Sequence, residues 1–246
     1  MCIRDSYKTR DLDIDNAAAR GVVRALDYLT ASNRVDLGDE IPDYEDGELN
    51  ARGKRVVVIG GGDTAMDCVR TAIRQGAQSV KCLYRRDRAN MPGSQREVAN
   101  AEEEGVKFDW RAAPLSVGEK KGAGAQAVRA IRMRLGPPDA SGRQAPEEIP
   151  DSDYDVKADM VIKALGFDPE DLPAHFSEQS LAVNRWGGVK IDYRTMMTPM
   201  EGVFAAGDIV RGASLVVWAI KEGRDAAASI DAYLRAKAAA SRIAAE

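Results

Sequence analysis

A chain of 246 residues can form one large α/β domain or two smaller ones, and its 44% hydrophobic and 30% charged content is that of an ordinary globular protein. Its net charge of −4 argues against nucleic acid as a partner, because nucleic-acid binders carry a basic face. The three cysteines, Cys2, Cys68 and Cys82, lack CxxC spacing, which excludes a zinc site, a thiol redox pair and a local iron–sulfur cluster and suits a reducing cytoplasm, and no apolar run approaches the ~20 residues that span a bilayer.

The opening Met-Cys-Ile-Arg-Asp-Ser-Tyr-Lys carries charge without an apolar h-region, so it is no signal peptide and reads as a foreign leader on a chain that begins mid-protein. Residues 1–20 are expected to lack fixed structure. Val22, Val23, Ala25, Leu26 and Leu29 have helix-like spacing, and residues 35–53 are an acidic, turn-rich linker. Lys54-Arg55 open the strand Val56–Ile59, which enters Gly60-Gly61-Gly62. Beyond that turn Ala65, Val69, Ala72 and Ile73 share one helical face, and Gly76 is placed to stop the helix. A second strand, Ser79 to Tyr84, completes a βαβ unit of about 30 residues.

Residues 97–104 read as a helix that Gly105 ends. From Val106 to Ile162 three strand-like runs (VKFDW, AVRAIRMRL, DMVIKAL) predict an antiparallel insertion followed by a last parallel strand, Met160–Leu165. A hairpin is expected around Trp186-Gly187-Gly188, and Val203–Ala206 reads as a buried strand running into Gly207-Asp208. The final helix carries Val216, Ala219, Ile220, Gly223, Ala226, Ile230 and Leu234 on one stripe, small enough to lie on a sheet or a flat ligand. Its alanine-rich tail from Arg235 is expected to fray.

Gly60-x-Gly62-x-x-Ala65, between a strand and a periodic helix, fits a dinucleotide-binding fingerprint. Gly60 permits the tight turn, Gly62 lets backbone approach a pyrophosphate, and Ala65 lets helix and strand pack closely. The helix N-terminus offers free N–H groups to the anion. The competing reading is a purely structural glycine turn. Which nucleotide binds is decided after the second strand, where Arg85 and Arg86 suit the 2′-phosphate of NADPH better than the bare ribose of NADH. Solvated surface charge is the alternative for this pair. Ala206-Gly207-Asp208 reads either as part of a second nucleotide site or as a strand-end turn. His175 and the buried-type Cys68 and Cys82 carry no catalytic signature, and none is assigned.

The stretches GKRVVVIGGGDTAMDCVRTAIRQGA, YRRDRANMPGSQREV and VFAAGDIVRGASLVVWAIKEGRDAA together resemble the small (β) subunit family of NADPH-dependent glutamate synthase, from about residue 9 to residue 236. The resemblance implies an α/β fold: a Rossmann-like NAD(P)-binding domain with an antiparallel insertion, itself inserted in a partial FAD-binding domain of the two-dinucleotide-binding flavoprotein type. It implies residues 1–53 as a remnant of the FAD domain with a linker, 54–166 as the NADPH domain, and 167–246 as the C-terminal part of the FAD domain. Gly60, Gly61, Gly62, Asp63, Thr64 and Ala65 would hold the NADPH pyrophosphate, and Arg85 and Arg86 the 2′-phosphate. Ala164 and Gly166 would mark the end of the inserted domain. Gly207 and Asp208 would meet the ribityl chain of FAD, and the backbone near Val216 and Val217 its pyrimidine edge. The implied activity passes electrons from NADPH to FAD and on, through iron–sulfur clusters of a cysteine-rich N-terminal domain, to a large subunit that makes glutamate from glutamine and 2-oxoglutarate. Related modules in dihydropyrimidine dehydrogenase and ferredoxin:NADP transhydrogenase are same-class alternatives, and a nucleotide-binding module without redox activity is a third. Residues 1–55 hold no GxGxxG, so the FAD domain is expected without its own pyrophosphate loop.

Overall fold

The computed structural model describes residues 8–120, 124–139, 142 and 144–243. It divides into two compact units, Asp11–Gly166 and a second that joins the segment ending at Arg10 to the chain from Phe167 onward. Of the expected leader, residues 1–7 lie outside the described residues, and Lys8 begins β1.

In chain order, β1 (Lys8–Thr9) precedes β2 (Val22–Arg24), α1 (Ala25–Asp36) and the single turn α2 (Pro42–Glu45). Next come β3 (Arg55–Ile59), α3 (Asp63–Arg74), β4 (Ser79–Tyr84), α4 (Gln95–Glu103) and β5 (Lys107–Trp110). Strands β6 (Ala112–Lys120), β7 (Gly124–Pro138), β8 (Gln144–Glu148), β9 (Tyr154–Lys157) and β10 (Met160–Lys163) complete the first unit. The remaining elements are β11 (Phe167–Asp168), α5 (Leu172–His175), α6 (Asp208–Arg211) and the long α7 (Val216–Ile243).

The Asp11–Gly166 unit is built on a parallel five-stranded sheet in the order β2-β10-β3-β4-β5. Its central strands β10 and β3 are apolar on both faces, as expected when a sheet is covered twice. Val56 and Val58 of β3, with Ile162 of β10, pack under the helices beside Val69 and Val98. Val57 and Ile59, pointing the other way, join Leu83, Val128, Val156 and Val161 beneath a second, antiparallel sheet. In that sheet β7 pairs with β6 along one edge and with β9 and then β8 along the other.

Several expectations are corrected here. VKFDW (β5) pairs parallel with β4, in register from Lys81–Lys107 to Tyr84–Trp110, so it belongs to the parallel sheet and not to the antiparallel insertion. Val22 and Val23 form a strand on β10, and the helix begins only at Ala25. Residues 8–20 have fixed structure: Leu12 and Ile14 pack against the inter-sheet core, and Asp11 accepts from the nearly buried Lys163 amine at 2.6 Å. That ion pair holds the Asp11 carboxyl below its usual range, chiefly through the Lys163 hydrogen bond.

In the second unit β1 pairs antiparallel with β11, and a small core gathers Leu172, Leu181, Val189, Ile209 and Val210. The hairpin near Trp186 is present as an antiparallel bridge between Val183 and Val189. Val203–Ala206 is not a buried strand: Phe204 makes one isolated bridge to Met197, and Val203 is exposed. Helix α7 continues to Ile243 within its alanine-rich tail, because alanine is the best helix former and Asp231–Arg235 adds an i,i+4 pair. No helix among the described residues is long and apolar enough to cross a membrane.

Candidate functional site

The C-terminal ends of β3, β4 and β10 lie side by side, and the residues expected to hold a nucleotide leave from them. Gly60 continues β3, donating its N–H to the Leu83 carbonyl at 3.1 Å. Its φ of 148° and a Cβ position only 2.1 Å from the Ala164 carbonyl oxygen admit no side chain. Ala164 is thus the floor under the turn, at the end of the last parallel strand, and Gly166 follows it with φ 85°. Gly61 is buried against the Tyr84 ring, where a Cβ would sit 2.4 Å away. Gly62 differs from both: nothing lies within 4 Å of its Cβ position.

Gly62 is also the N-cap of α3 and has no side chain to cap it, so the first-turn N–H groups at Asp63 and Thr64 are left for a ligand. Ala65 is fully buried, which is how α3 comes close to the sheet. An open glycine, an uncapped helix start and a small residue at the fourth position together fit the pyrophosphate of a dinucleotide. The Cys82 thiol donates to the Gly60 carbonyl at 3.3 Å beneath the turn, and burial pushes it up to about 12, so it is inert there.

Arg85 and Arg86 follow Tyr84. Arg85 is exposed; Arg86 is half-buried, and its Nε is buried without a hydrogen-bond partner. A buried cationic donor of this kind is costly unless an acceptor arrives, and a phosphate is such an acceptor.

The Asp63 side chain is engaged within the protein. Its carboxylate accepts the Ser94 N–H at 2.9 Å, across 31 residues of sequence. The Gly93 N–H donates to the Gly61 carbonyl at 2.9 Å, so the segment before α4 crosses the glycine turn. Tyr84 supports the same segment, its hydroxyl donating to the Asn90 carbonyl at 2.9 Å. Tyr84, Gly93 and Ser94 were not singled out from the sequence, although all lie within quoted stretches. Only the glycine in Met-Pro-Gly-Ser was a signal.

The other expected residues belong to the second unit. Gly207 has φ 79°, open space at its Cβ position, and an N–H that donates to Glu222 Oε2 at 2.9 Å. Asp208 begins α6 and is half-buried. Glu222 is only 5% exposed, and its other oxygen takes the Arg211 guanidinium, with Nε at 2.6 Å. Arg211 in turn covers the Trp218 ring at 4.8 Å. Glu222 was missed, though a charged residue between Ala219 and Ala226 on a stripe of small residues could have flagged it. Val216 and Val217 open α7 at 73% and 63% exposed. Residues 11–55 belong to the other unit, and residues 1–55 hold no GxGxxG.

Residues 8–223 match the family model described as pyridine nucleotide-disulphide oxidoreductase. The chain is 65% identical over 235 residues to a glutamate synthase [NADPH] small chain of Azospirillum brasilense, covering 95% of this chain and 48% of the relative. It is 43% identical over 236 residues to the putative oxidoreductase AegA of Escherichia coli, covering 94% of this chain and 35% of that protein. The chain therefore spans about half the length of the first relative and less of the second. Among solved structures, Mycobacterium tuberculosis FprA in complex with NADPH superposes with a TM-score of 0.73 at 17% identity, covering 97% of this chain and 64% of that one. At that identity the likeness concerns the fold alone.

Proposed function

The chain belongs to the pyridine nucleotide-disulphide oxidoreductase family, and on that premise we propose that it binds NADPH on the Gly60–Ala65 turn as the electron-input part of a cytoplasmic glutamate synthase. The reading divides the chain at residues 54–166 for NADPH and 167–246 for the flavin side, with residues 1–53 leading in. The observation that carries it is the contrast within one turn: Gly60 and Gly61 are closed by Ala164 and Tyr84, whereas Gly62 is open at an uncapped helix start.

In this reading the α3 N–H groups hold the pyrophosphate, and Arg85 and Arg86 hold the 2′-phosphate, with Arg86 Nε gaining the acceptor it lacks. Gly207 and Asp208 hold the polar chain of FAD, and the N–H groups at Val216 and Val217 face its ring, where a helix N-terminus favours negative charge. Bound FAD would supply the acceptor for hydride from NADPH. Hydride transfer requires aligned rings and no acid–base side chain, so the protein's part is binding and orientation. Iron–sulfur clusters and a large subunit that consumes the electrons would lie outside residues 1–246.

The exposed apolar start of α7 supports a flavin side completed by further protein, since contiguous exposed apolar surface marks interaction sites. The 43% identity to an oxidoreductase bearing another name keeps open a related reductase with a different electron sink. The test is a titration of the purified chain with NADPH, NADH and FAD. Expected are NADPH binding, NADH weaker by at least tenfold, and weak or no FAD binding. Substituting Arg85 or Arg86 by Ala should weaken NADPH roughly tenfold to a hundredfold, one charge-assisted bond being worth about 1.5–3 kcal/mol. Equal affinity for NADPH and NADH would overturn the assignment of the arginines.

A further inference from the structure

Asp63 occupies the first helical position of α3, facing the seat proposed for two phosphates. A free carboxylate there would repel them. Yet one of its oxygens is committed to the Ser94 N–H at 2.9 Å, and the adjacent Gly93 N–H reaches back to the Gly61 carbonyl at 2.9 Å. Glycine at position 93 eases the crossing, because an added Cβ would lie 3.1 Å from that same carbonyl oxygen, a tight contact that the turn would have to relax. Both ends of the crossing segment are fixed. Upstream, Asp87 accepts from the Asn90 N–H at 3.0 Å and Tyr84 holds the Asn90 carbonyl. Downstream, Arg70 of α3 binds Glu97 of α4 and, at 2.6 Å, Glu104 just beyond it. Between these anchors the two bonds at Gly93 and Ser94 decide how far the segment stands from the turn.

We infer that the Asp63 side chain is a positioning group: its carboxylate latches residues 91–95 across the glycine turn, with Gly93 as the second point of the clasp, and so sets the width of the nucleotide seat without itself touching the nucleotide, which the Asp63 backbone N–H meets. The inference deepens the proposed NADPH site and rests on that reading for its binding consequences. The latch itself is a property of the nucleotide-free protein.

The test compares three variants. Asp63→Asn keeps an oxygen acceptor. Asp63→Ala removes it. Ser94→Pro removes only the donor, because the Ser94 φ of −56° already suits proline. For NADPH affinity by fluorescence titration, Asp63→Asn should stay within about threefold of the unaltered protein. Asp63→Ala and Ser94→Pro should each lose about tenfold, and the double variant no more than either single, the mark of one shared interaction. Amide exchange read by mass spectrometry on the nucleotide-free chain should speed up over residues 91–95 in Asp63→Ala and Ser94→Pro, with thermal midpoints otherwise close to the unaltered protein. Tighter NADPH binding by Asp63→Ala would mean that the carboxylate is a free repelling charge, and would overturn the latch. Additive losses in the double variant would overturn it too. If the unaltered chain binds neither NADPH nor NADH, the functional reading fails, and exchange alone judges the latch: equal rates in the unaltered protein and Asp63→Ala would sink it.

Discussion

The Asp11–Gly166 unit and the unit from Phe167 onward bury their apolar residues to very different degrees. In the first, every residue of Val56–Ile59 is buried, with helices on one side of the sheet and antiparallel strands on the other. In the second, the core holds five buried residues, while Leu215, Val216, Val217, Trp218 and Ile220 stand exposed along the start of α7. The first unit satisfies its own pattern. The second leaves apolar side chains exposed along the start of its last helix. Completeness of burial thus separates a unit that is finished as a fold from one whose helix face is still available.

The sharpest way to break this comparison lies inside the finished unit. Gly60→Ala places a Cβ 2.1 Å from a backbone oxygen at a positive φ, and should cost roughly 3–5 kcal/mol of stability, abolishing nucleotide binding with the fold. Gly62→Ala, two residues on, meets nothing within 4 Å and should change stability by less than about 0.5 kcal/mol while weakening NADPH. Urea unfolding and an NADPH titration on both variants decide it. Gly62→Ala binding NADPH as tightly as the unaltered protein would remove the turn from the site.

A second pair sets the two units against each other. Leu83→Ala, at 1% exposure between the two sheets, should cost about 2–4 kcal/mol by transfer and cavity terms. Ile220→Ser, at 58% exposure, should be neutral within about 0.5 kcal/mol and should improve solubility. A large loss at Ile220 would show that the face is covered in solution, and the two units would differ less than their exposures indicate.

Within the second unit, Glu222→Ala removes the acceptor shared by the Gly207 N–H and Arg211. A fully buried pair would lose more, but Arg211 is 39% exposed and can turn to water, so about 2 kcal/mol is expected. Glu222→Gln should recover part of it by keeping an acceptor for Gly207. Thermal unfolding of both variants measures the difference. No loss in Glu222→Ala would mean that the Gly207 turn is held by its own backbone.

What the sequence made legible follows the same division. Ser79–Tyr84 and the helix ended by Gly105 appear where expected, and Gly76, with φ 84°, ends α3, because apolar period and glycine position are local signals. VKFDW reads as part of the antiparallel insertion yet lies in the parallel sheet, since five residues of alternating character do not reveal whether their partner runs parallel. The glycine turn was legible, but the division of labour within it was not. Gly61 is explained by the Tyr84 ring and Asp63 by Ser94, and both contacts join residues remote in sequence. Val203–Ala206 reads as a strand by composition, yet it has only a single bridge, to Met197. Composition reports what a segment would bury, not whether anything is there to bury it.

The smallest effect concerns acid. Where β3 begins, Asp159 accepts a fork from Arg55, Nη2 at 2.6 Å and Nε at 2.8 Å, and also the Arg55 N–H at 2.9 Å. The Arg55 side-chain hydrogen bonds come first among the causes that hold the Asp159 carboxyl below its ordinary value. A carboxyl whose folded pKa is depressed contributes stability that is complete above its unfolded pKa, about 3.9, and disappears as pH falls through the lower folded value. With the two side chains 32% and 37% exposed, solvent screening keeps the contribution of the pair small. Asp159→Asn should therefore lower the urea midpoint of the Asp11–Gly166 unit slightly at pH 7, and the gap from the unaltered protein should close as pH drops below about 3.9. A gap that persisted or widened in acid would mean that the residue acts through packing or backbone geometry at the start of β3, and not through its charge. Because both partners lie in the finished unit, the transition of the other unit should be unmoved at every pH. If it moves, the two units unfold together, and their difference in burial is not a difference in independence.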